Sequence, residues 1–93
     1  MKTYAIFLEN TSKPLTEQAI NKHVQHLKDL DSKGILVLCG PFEDYPGGMV
    51  LVTCKDIESA QTIAKSDPFV SGDYRTYTIR TLEVANKDNN YLL

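Results

Sequence analysis

Two segments of the chain have apolar residues at helical spacing. The first extends from about residue 15 to residue 33, and steps of four, three and three positions place its apolar residues on one stripe: Ile20, Val24, Leu27 and Leu30. Gly34 ends this predicted helix. The second begins after Asp56, a good N-cap, and Pro68 limits its length. Its apolar positions again share one face: Ile57, Ala60, Ile63 and Ala64.

Four other segments are typical of strands. The first is Tyr4–Leu8, which mixes aromatic and aliphatic residues, and the last is Tyr74–Leu82, whose alternation indicates a half-buried strand. The continuous apolar run Ile35–Cys39 predicts a strand that is central in a sheet or covered on both faces. Met49–Cys54 is predicted as the third strand, after a loop over Phe42–Gly48 that contains Pro46-Gly47-Gly48.

The resulting order is β-α-β-β-α-β, which predicts a ferredoxin-like α+β fold. Both helices must pack on one face of a four-stranded antiparallel sheet to bury their stripes. The helices leave the other face of the sheet uncovered, and a second subunit commonly covers such a face when it is apolar. We therefore expect a homodimer. We expect one domain over residues 1–84 and a polar C-terminal tail over residues 85–93.

The charge, the N-terminal sequence and the cysteines indicate which partners and which cellular location to expect. The net charge is −2 and the ten basic residues are scattered, which argues against nucleic acid as a partner. The apolar run near the N-terminus is too short for a signal peptide or a membrane span, so we predict a cytoplasmic protein without a membrane partner. Cys39 and Cys54 lie in strand-like runs without Cys-x-x-Cys spacing and are predicted to be buried, reduced thiols.

Candidate chemistry is concentrated at His23. Its position between Ile20 and Leu27 turns it towards the apolar side of the first helix, where a titratable group needs a partner. His26 is its neighbour one turn later, and two histidines at this spacing are a conceivable metal pair. No third ligand is indicated by the spacing, so we predict no metal and place His26 at the rim of the helix.

Asp67 is the candidate partner. Pro68 holds its backbone extended and ends the second helix close by, so that a rigid turn fixes the carboxylate. On the residues alone, a simpler interpretation stays open: Asp67 caps nearby backbone N–H groups, and His23 is a satisfied core residue.

The joint pattern resembles that of the YciI-like (YCII-related) family. The pattern consists of His23-x3-Leu27-x2-Leu30-x3-Gly34-x5-Gly40-Pro41, then Ala60, Asp67-Pro68-Phe69 and Gly72. The resemblance covers nearly the whole chain, from Tyr4 to Leu82. The resemblance implies a dimeric α+β barrel fold related to muconolactone isomerases, with His23 and Asp67 at the active site. Other members often carry an arginine where this chain has Ile20, and a proline-containing strand end where it has Thr81-Leu82, so their anion-binding role is not carried over.

The function expected from the pair is acid/base catalysis. A carboxylate fixes the imidazole tautomer and leaves the other ring nitrogen free to move a proton near neutral pH. By analogy, the substrate is a small cyclic or aromatic-derived molecule, and the reaction is an isomerisation or an elimination such as dehydrochlorination, without a cofactor. A non-catalytic dimeric module that binds a small ligand is the alternative. The predicted substrate-binding residues are Tyr4, Gly40, Pro41, Phe69 and Ser71, with Tyr45 and Tyr77 as further aromatic candidates.

Overall fold

One antiparallel sheet of four strands organises the molecule, whose computed structural model describes residues 1–93. The strands are β1 (Lys2–Asn10), β2 (Leu36–Pro41), β3 (Gly47–Cys54) and β4 (Arg75–Leu82). The helices are α1 (Glu17–Ser32), α2 (Ile57–Ser66) and the short α3 (Pro68–Ser71). The strand order is β2-β3-β1-β4, and every neighbouring pair is antiparallel. The predicted α+β fold with its four-stranded antiparallel sheet is therefore confirmed.

Both long helices begin at a side-chain cap. The Thr16 hydroxyl accepts a hydrogen bond from the backbone N–H of Ala19 at 3.1 Å, at the start of α1. Asp56 does the same for α2, because its carboxylate accepts from the backbone N–H and the hydroxyl of Ser59 at 2.9 and 2.8 Å. These two bonds lower the pKa of the Asp56 carboxyl. After α1, Gly34 adopts a φ of 73°, which ends the helix as predicted.

The core lies between the central strands and the helices. Alternate side chains of β1 and β3 point towards the helices, and α2 meets them through Ala60 and Ala64, which are 0% and 2% exposed. Alanine at these two positions lets the helix backbone lie close to the sheet. The buried strand residues in this cluster are Tyr4, Ile6, Leu8, Val50, Val52 and Cys54.

The other face of the sheet carries no helix. Side chains of a strand alternate between faces, so Ala5 and Phe7 lie opposite the core residues of β1. Leu51 is paired with Ala5 and with Leu38 and shares this face. We call the surface formed by Ala5, Phe7, Leu38 and Leu51 the outer sheet face.

The second strand was predicted wrongly in its position and burial. β2 is an edge strand rather than a central one, and Val37 and Leu38 are 53% and 52% exposed. Cys39 is also exposed, so the prediction that both thiols are buried holds only for Cys54. The sequence of an apolar strand does not show which elements pack against it. In β2, one side of the strand faces an open cavity and the other belongs to the outer sheet face.

Several element boundaries also differ from the predicted ones. β2 extends through Gly40-Pro41, which an edge strand tolerates because a proline there need not donate to a partner. Gly47 and Gly48, predicted as loop, begin β3. A short helix, α3, follows Asp67, where only a turn was predicted.

The chain after β4 forms only local structure. A 3₁₀ turn spans Lys87–Leu92, and the Asn86 side chain caps it by accepting from the backbone N–H of Asp88 at 2.9 Å. The predicted domain boundary after residue 84 stays a prediction. None of the helices has the combination of length and apolar character needed to cross a bilayer.

Candidate active site

A cavity of about 550 Å³ opens between α1 and the adjoining ends of β2 and β3. This volume lies in the range of small-molecule binding sites. Its wall on the helix side consists of Ile20, Val24 and Leu27, which belong to the predicted stripe of α1. Ile20 and Val24 are each 41% exposed, so this part of the stripe borders the cavity instead of packing tightly against the sheet.

Glycines explain why the strand side of the cavity is open. Gly40, Gly47 and Gly48 line it and contribute no side chains. A Cβ atom at Gly48 would lie 2.8 Å from the carbonyl oxygen of Gly40, which is closer than real contacts allow. Gly47 has a φ of 145°, a conformation open to glycine and strained for other residues. The close strand contact therefore depends on glycine at both positions of β3.

His23 and Asp67 form a hydrogen-bonded pair at this cavity. Nδ1 of His23 lies 2.7 Å from Oδ1 of Asp67, although the residues are 44 positions apart in sequence. The His23 side chain is 13% exposed and lines the cavity, whereas that of Asp67 is 3% exposed. The imidazole is thus in contact with the cavity and the carboxylate lies behind it.

The junction between α2 and α3 fixes Asp67. α2 ends at Ser66 and α3 begins at Pro68, with Asp67 extended between them at φ −64° and ψ 124°. The same oxygen, Oδ1, that meets the imidazole also accepts a hydrogen bond from the backbone N–H of Phe69 at 2.9 Å. In the structure, Asp67 therefore both caps α3 and contacts His23.

The contact assigns the histidine tautomer. A carboxylate only accepts hydrogen bonds, so Nδ1 of His23 carries the proton that is shared with Asp67. In the neutral imidazole the other nitrogen, Nε2, then holds a lone pair, and His23 makes no further side-chain hydrogen bond. The pair can take a proton at Nε2 and return it from the same atom.

Phe69 and Arg75 complete the cavity next to His23. The rings of Phe69 and His23 are stacked, with centroids 3.8 Å apart and planes 7° apart. The guanidinium carbon of Arg75 lies 5.4 Å from the centroid of the Phe69 ring. Sequence reasoning missed Arg75, although the alternation of β4 contains the signal: it has the same parity as Tyr77 and Ile79, which pack against the core.

His26 is half-buried and does not line the cavity. Burial lowers the pKa of its imidazole, and the nearby positive charge of protonated His23 lowers it further. The negative charges of Asp67 and Asp29 raise the pKa of His26 but do not cancel this lowering. No group of three or more His, Cys, Asp or Glu side chains is arranged to hold a metal ion.

The structure brings some of the predicted substrate-binding residues to the cavity and leaves others away from it. Gly40, Pro41 and Phe69 line it together with His23. Tyr4 is in the core at 2% exposure, and burial raises the pKa of its phenol. Ser71 lies at a separate cavity of about 320 Å³.

The two further aromatic candidates also lie elsewhere. The hydroxyl of Tyr45 donates to the Glu9 carboxylate at 3.3 Å, and Tyr77 packs against the core. Tyr4, Ser71, Tyr45 and Tyr77 are therefore not part of the cavity wall.

Known proteins resemble this chain in sequence and in fold. The family model of the YCII-related domain matches residues 3–83. The uncharacterized protein YjpA of Bacillus subtilis (strain 168) is 29% identical over 80 residues, which cover 86% of this chain and 93% of YjpA. A solved structure of 5-chloro-2-hydroxyhydroquinone dehydrochlorinase (TftG) from Burkholderia phenoliruptrix AC1100, in complex with 2,5-dihydroxybenzoquinone, is 16% identical. It superimposes with a TM-score of 0.68 over 95% of this chain and 99% of that one, a likeness of fold.

Proposed function

Because this chain belongs to the YCII-related domain family, we propose that it is a small-molecule enzyme in which His23 and Asp67 act as an acid/base pair. The observation that carries this proposal is the 2.7 Å contact between Nδ1 of His23 and Oδ1 of Asp67 at the edge of a cavity. A histidine with only a structural role would not need a cavity beside it. Because His23 lines a cavity, a bound substrate can reach the free ring nitrogen.

The mechanism follows from the tautomer. Nε2 of His23 removes a proton from the substrate, and Asp67 stabilises the resulting imidazolium through Nδ1. In an isomerisation, the proton returns to a different atom of the substrate. In a dehydrochlorination, the electron pair left on the substrate expels chloride, and the proton leaves later to solvent. Both reactions are redox-neutral, so neither requires an electron acceptor.

The substrate class is proposed from the cavity and from the fold neighbour. Most side chains that line the cavity are apolar, and its volume of about 550 Å³ has room for a molecule with one ring. TftG, by its name, eliminates hydrogen chloride from a chlorinated hydroquinone and was solved with a quinone. We therefore propose an isomerase or a lyase of the dehydrochlorinase type, acting on a small cyclic or aromatic-derived substrate.

The assembly that we propose is a homodimer joined through the outer sheet face. Phe7 and Leu51 are half-buried there without a helix above them, and Leu38 is 52% exposed. A partner that covers this face would remove apolar surface from water. Sedimentation of the parent protein and of Leu38→Glu tests this, because a charge placed within an apolar interface shifts the protein to monomer. The cytoplasmic location stays a prediction.

The decisive experiment is a turnover screen with matched histidine variants. Chlorinated hydroquinones and unsaturated lactones are the test substrates, and chloride release or ultraviolet absorbance is the readout. His23→Ala should lower kcat/KM by at least about 100-fold, the range typical of a lost general base. Asp67→Asn should lower it by about tenfold or more, because the amide does not stabilise the imidazolium. His26→Gln, one helical turn away, should stay within about threefold.

A spectroscopic measurement tests the pair without a substrate. The ¹⁵N shifts of the His23 imidazole should show protonated Nδ1 and unprotonated Nε2 in the neutral ring, and Asp67→Ala should remove this preference. Equal turnover by the parent and His23→Ala would contradict the catalytic role. Ligand binding in the cavity without turnover of any screened substrate would favour the binding module instead.

A further inference from the structure

We propose that Arg75 binds an anionic oxygen of the substrate, so that the ligand of this cavity is a small ring compound carrying a carboxylate, phenolate or enolate group. This inference rests on the proposed function, because it assigns the substrate class of the same site. The pair of His23 and Asp67 does not itself require a cation in the cavity. The residues of α1 that line the cavity supply none apart from His23, since position 20 is isoleucine, so a cation for the substrate must come from another element.

The charge of Arg75 is unbalanced within the cavity. Arg75 lines the cavity, and no Asp, Glu or Lys side chain lines it. The guanidinium forms no salt bridge, because the His23–Asp67 contact is the only ion pair in the structure. Asp67 lies behind the imidazole and already accepts two hydrogen bonds at its Oδ1. A partly buried cation in apolar surroundings favours an anionic partner.

The hydrogen-bonding capacity of Arg75 is mostly unused. Nη1 donates to the carbonyl oxygen of Tyr74 at 2.8 Å, which fixes the orientation of the side chain. A guanidinium has five N–H donors in a planar fork, and this fork matches two oxygens of one anionic group. The remaining donors of Arg75 make no other hydrogen bond to the protein.

The position of Arg75 links binding to the proposed chemistry. His23, Phe69 and Arg75 line the same cavity, so a small molecule held there can contact both the imidazole and the guanidinium. When Nε2 of His23 removes a proton, negative charge develops on the substrate. A fixed cation near that charge stabilises it more than it stabilises the neutral ground state. Arg75 therefore contributes to selection of an acidic substrate and to stabilisation of its deprotonated form.

Benzoate and benzamide are the probes that test this inference. They share the same ring and nearly the same shape, and they differ in charge. The full-length, isotopically labelled protein is titrated with each at about pH 8, where an ordinary imidazole is neutral. The ring signals of His23 and Phe69 and the Nε–H signal of Arg75 report binding. We expect the parent protein to bind benzoate at least about fivefold more tightly than benzamide.

The variants separate charge from shape. Arg75→Gln should weaken benzoate binding by about tenfold or more and leave benzamide within about twofold. Arg75→Lys should lie between the parent and Arg75→Gln, because it keeps the charge and loses the fork. Arg80→Gln is the matched control: Arg80 is exposed on the opposite face of β4 and also donates to its preceding carbonyl, that of Ile79 at 3.2 Å. This variant should bind both probes as the parent does.

The outcomes distinguish this inference from the proposed function. Equal affinity for benzoate and benzamide in the parent protein, or no binding of benzoate in the cavity, overturns the inference even if Arg75→Gln does not fold. Neither result changes the turnover test of His23. Conversely, benzoate held by Arg75 together with full turnover by His23→Ala overturns the acid/base pair and leaves the anion site intact.

Discussion

The two long helices lie on the same face of the sheet but contact it differently. α2 lies close to β1 and β3 because Ala60 and Ala64 keep its side chains short where it meets the strands. α1 keeps larger side chains, Ile20 and Val24, and leaves them partly exposed above the glycines of β2 and β3. One helix closes the core, and the other borders a cavity.

In so small a domain, a reactive side chain can be accommodated where packing is incomplete. Close packing at α2 leaves no room for a ligand, and dispersion and apolar burial are greatest where no gaps remain. At α1, packing is incomplete and a titratable group stays accessible. The His23–Asp67 contact joins the two regions, because its carboxylate lies at the C-terminal end of α2 and its imidazole on α1.

Thiol alkylation gives the largest expected contrast between the two regions. Cys39 lines the cavity and is exposed, whereas Cys54 is in the core at 5% exposure, and burial raises the pKa of its thiol. Iodoacetamide should therefore modify Cys39 at least about 100-fold faster than Cys54. Peptide mass spectrometry over time measures both rates, and Cys39→Ser identifies the fast site. Similar rates would show that the core near α2 opens as easily as the cavity.

Enlarging one residue on each helix tests packing directly. Ala60→Leu inserts three carbon atoms at a fully buried position and should lower the free energy of unfolding by up to about 3 kcal/mol. Val24→Leu adds one carbon beside the cavity and should change it by less than about 0.5 kcal/mol. Urea unfolding followed by circular dichroism measures both. Tolerance of leucine at position 60 would contradict the close contact of α2 with the sheet.

The smallest expected effect is a pH dependence of stability from His26. Because burial lowers its pKa in the folded state, the unfolded chain binds more protons between that lowered pKa and the ordinary value of about 6.5. The contribution of His26 is thus complete above about pH 6.5 and is lost as the pH falls through the lowered pKa.

His26→Gln, which does not titrate, isolates that contribution. The difference in unfolding free energy between about pH 7.5 and about pH 5 should be smaller in His26→Gln than in the parent protein. Urea unfolding at the two pH values measures it. An unchanged difference would assign the dependence to other groups, since the charged neighbours that act on His26 are His23, Asp67 and Asp29.

Much of the fold could be predicted because local signals agreed with the tertiary structure. The stripe of α1, the cap at Asp56 and the alternation of β4 each depend on nearby residues, and the order of elements then leaves few ways to bury the stripes. The position of β2 in the sheet could not be predicted in this way. Whether Ile35–Cys39 is central or at an edge depends on which strands pair, and this is determined by contacts distant in sequence.

The candidate site shows the same division. His23 and Asp67 were identified from helical spacing, the turn at Pro68 and the family resemblance, and the structure places them in contact. Tyr4 was expected near a ligand but belongs to the core, because aromatic residues of a central strand pack equally well against helices. The alternation of β4 places Arg75 on the core side of the sheet, but its position beside His23, like that of Cys39, depends on contacts between segments distant in sequence.

The single oxygen that accepts from both His23 and Phe69 has a consequence for how the site is assembled and monitored. The two halves of the contact come from segments 44 residues apart, so neither half of the chain, produced as a fragment, contains the pair. The imidazole of His23 and the backbone amide of Phe69 also share one acceptor, Oδ1 of Asp67. Protonation of the imidazole changes the electron density on that oxygen and hence its hydrogen bond to the amide. We therefore expect the amide resonance of Phe69 to shift when His23 gains or loses a proton, which a two-dimensional amide spectrum would show.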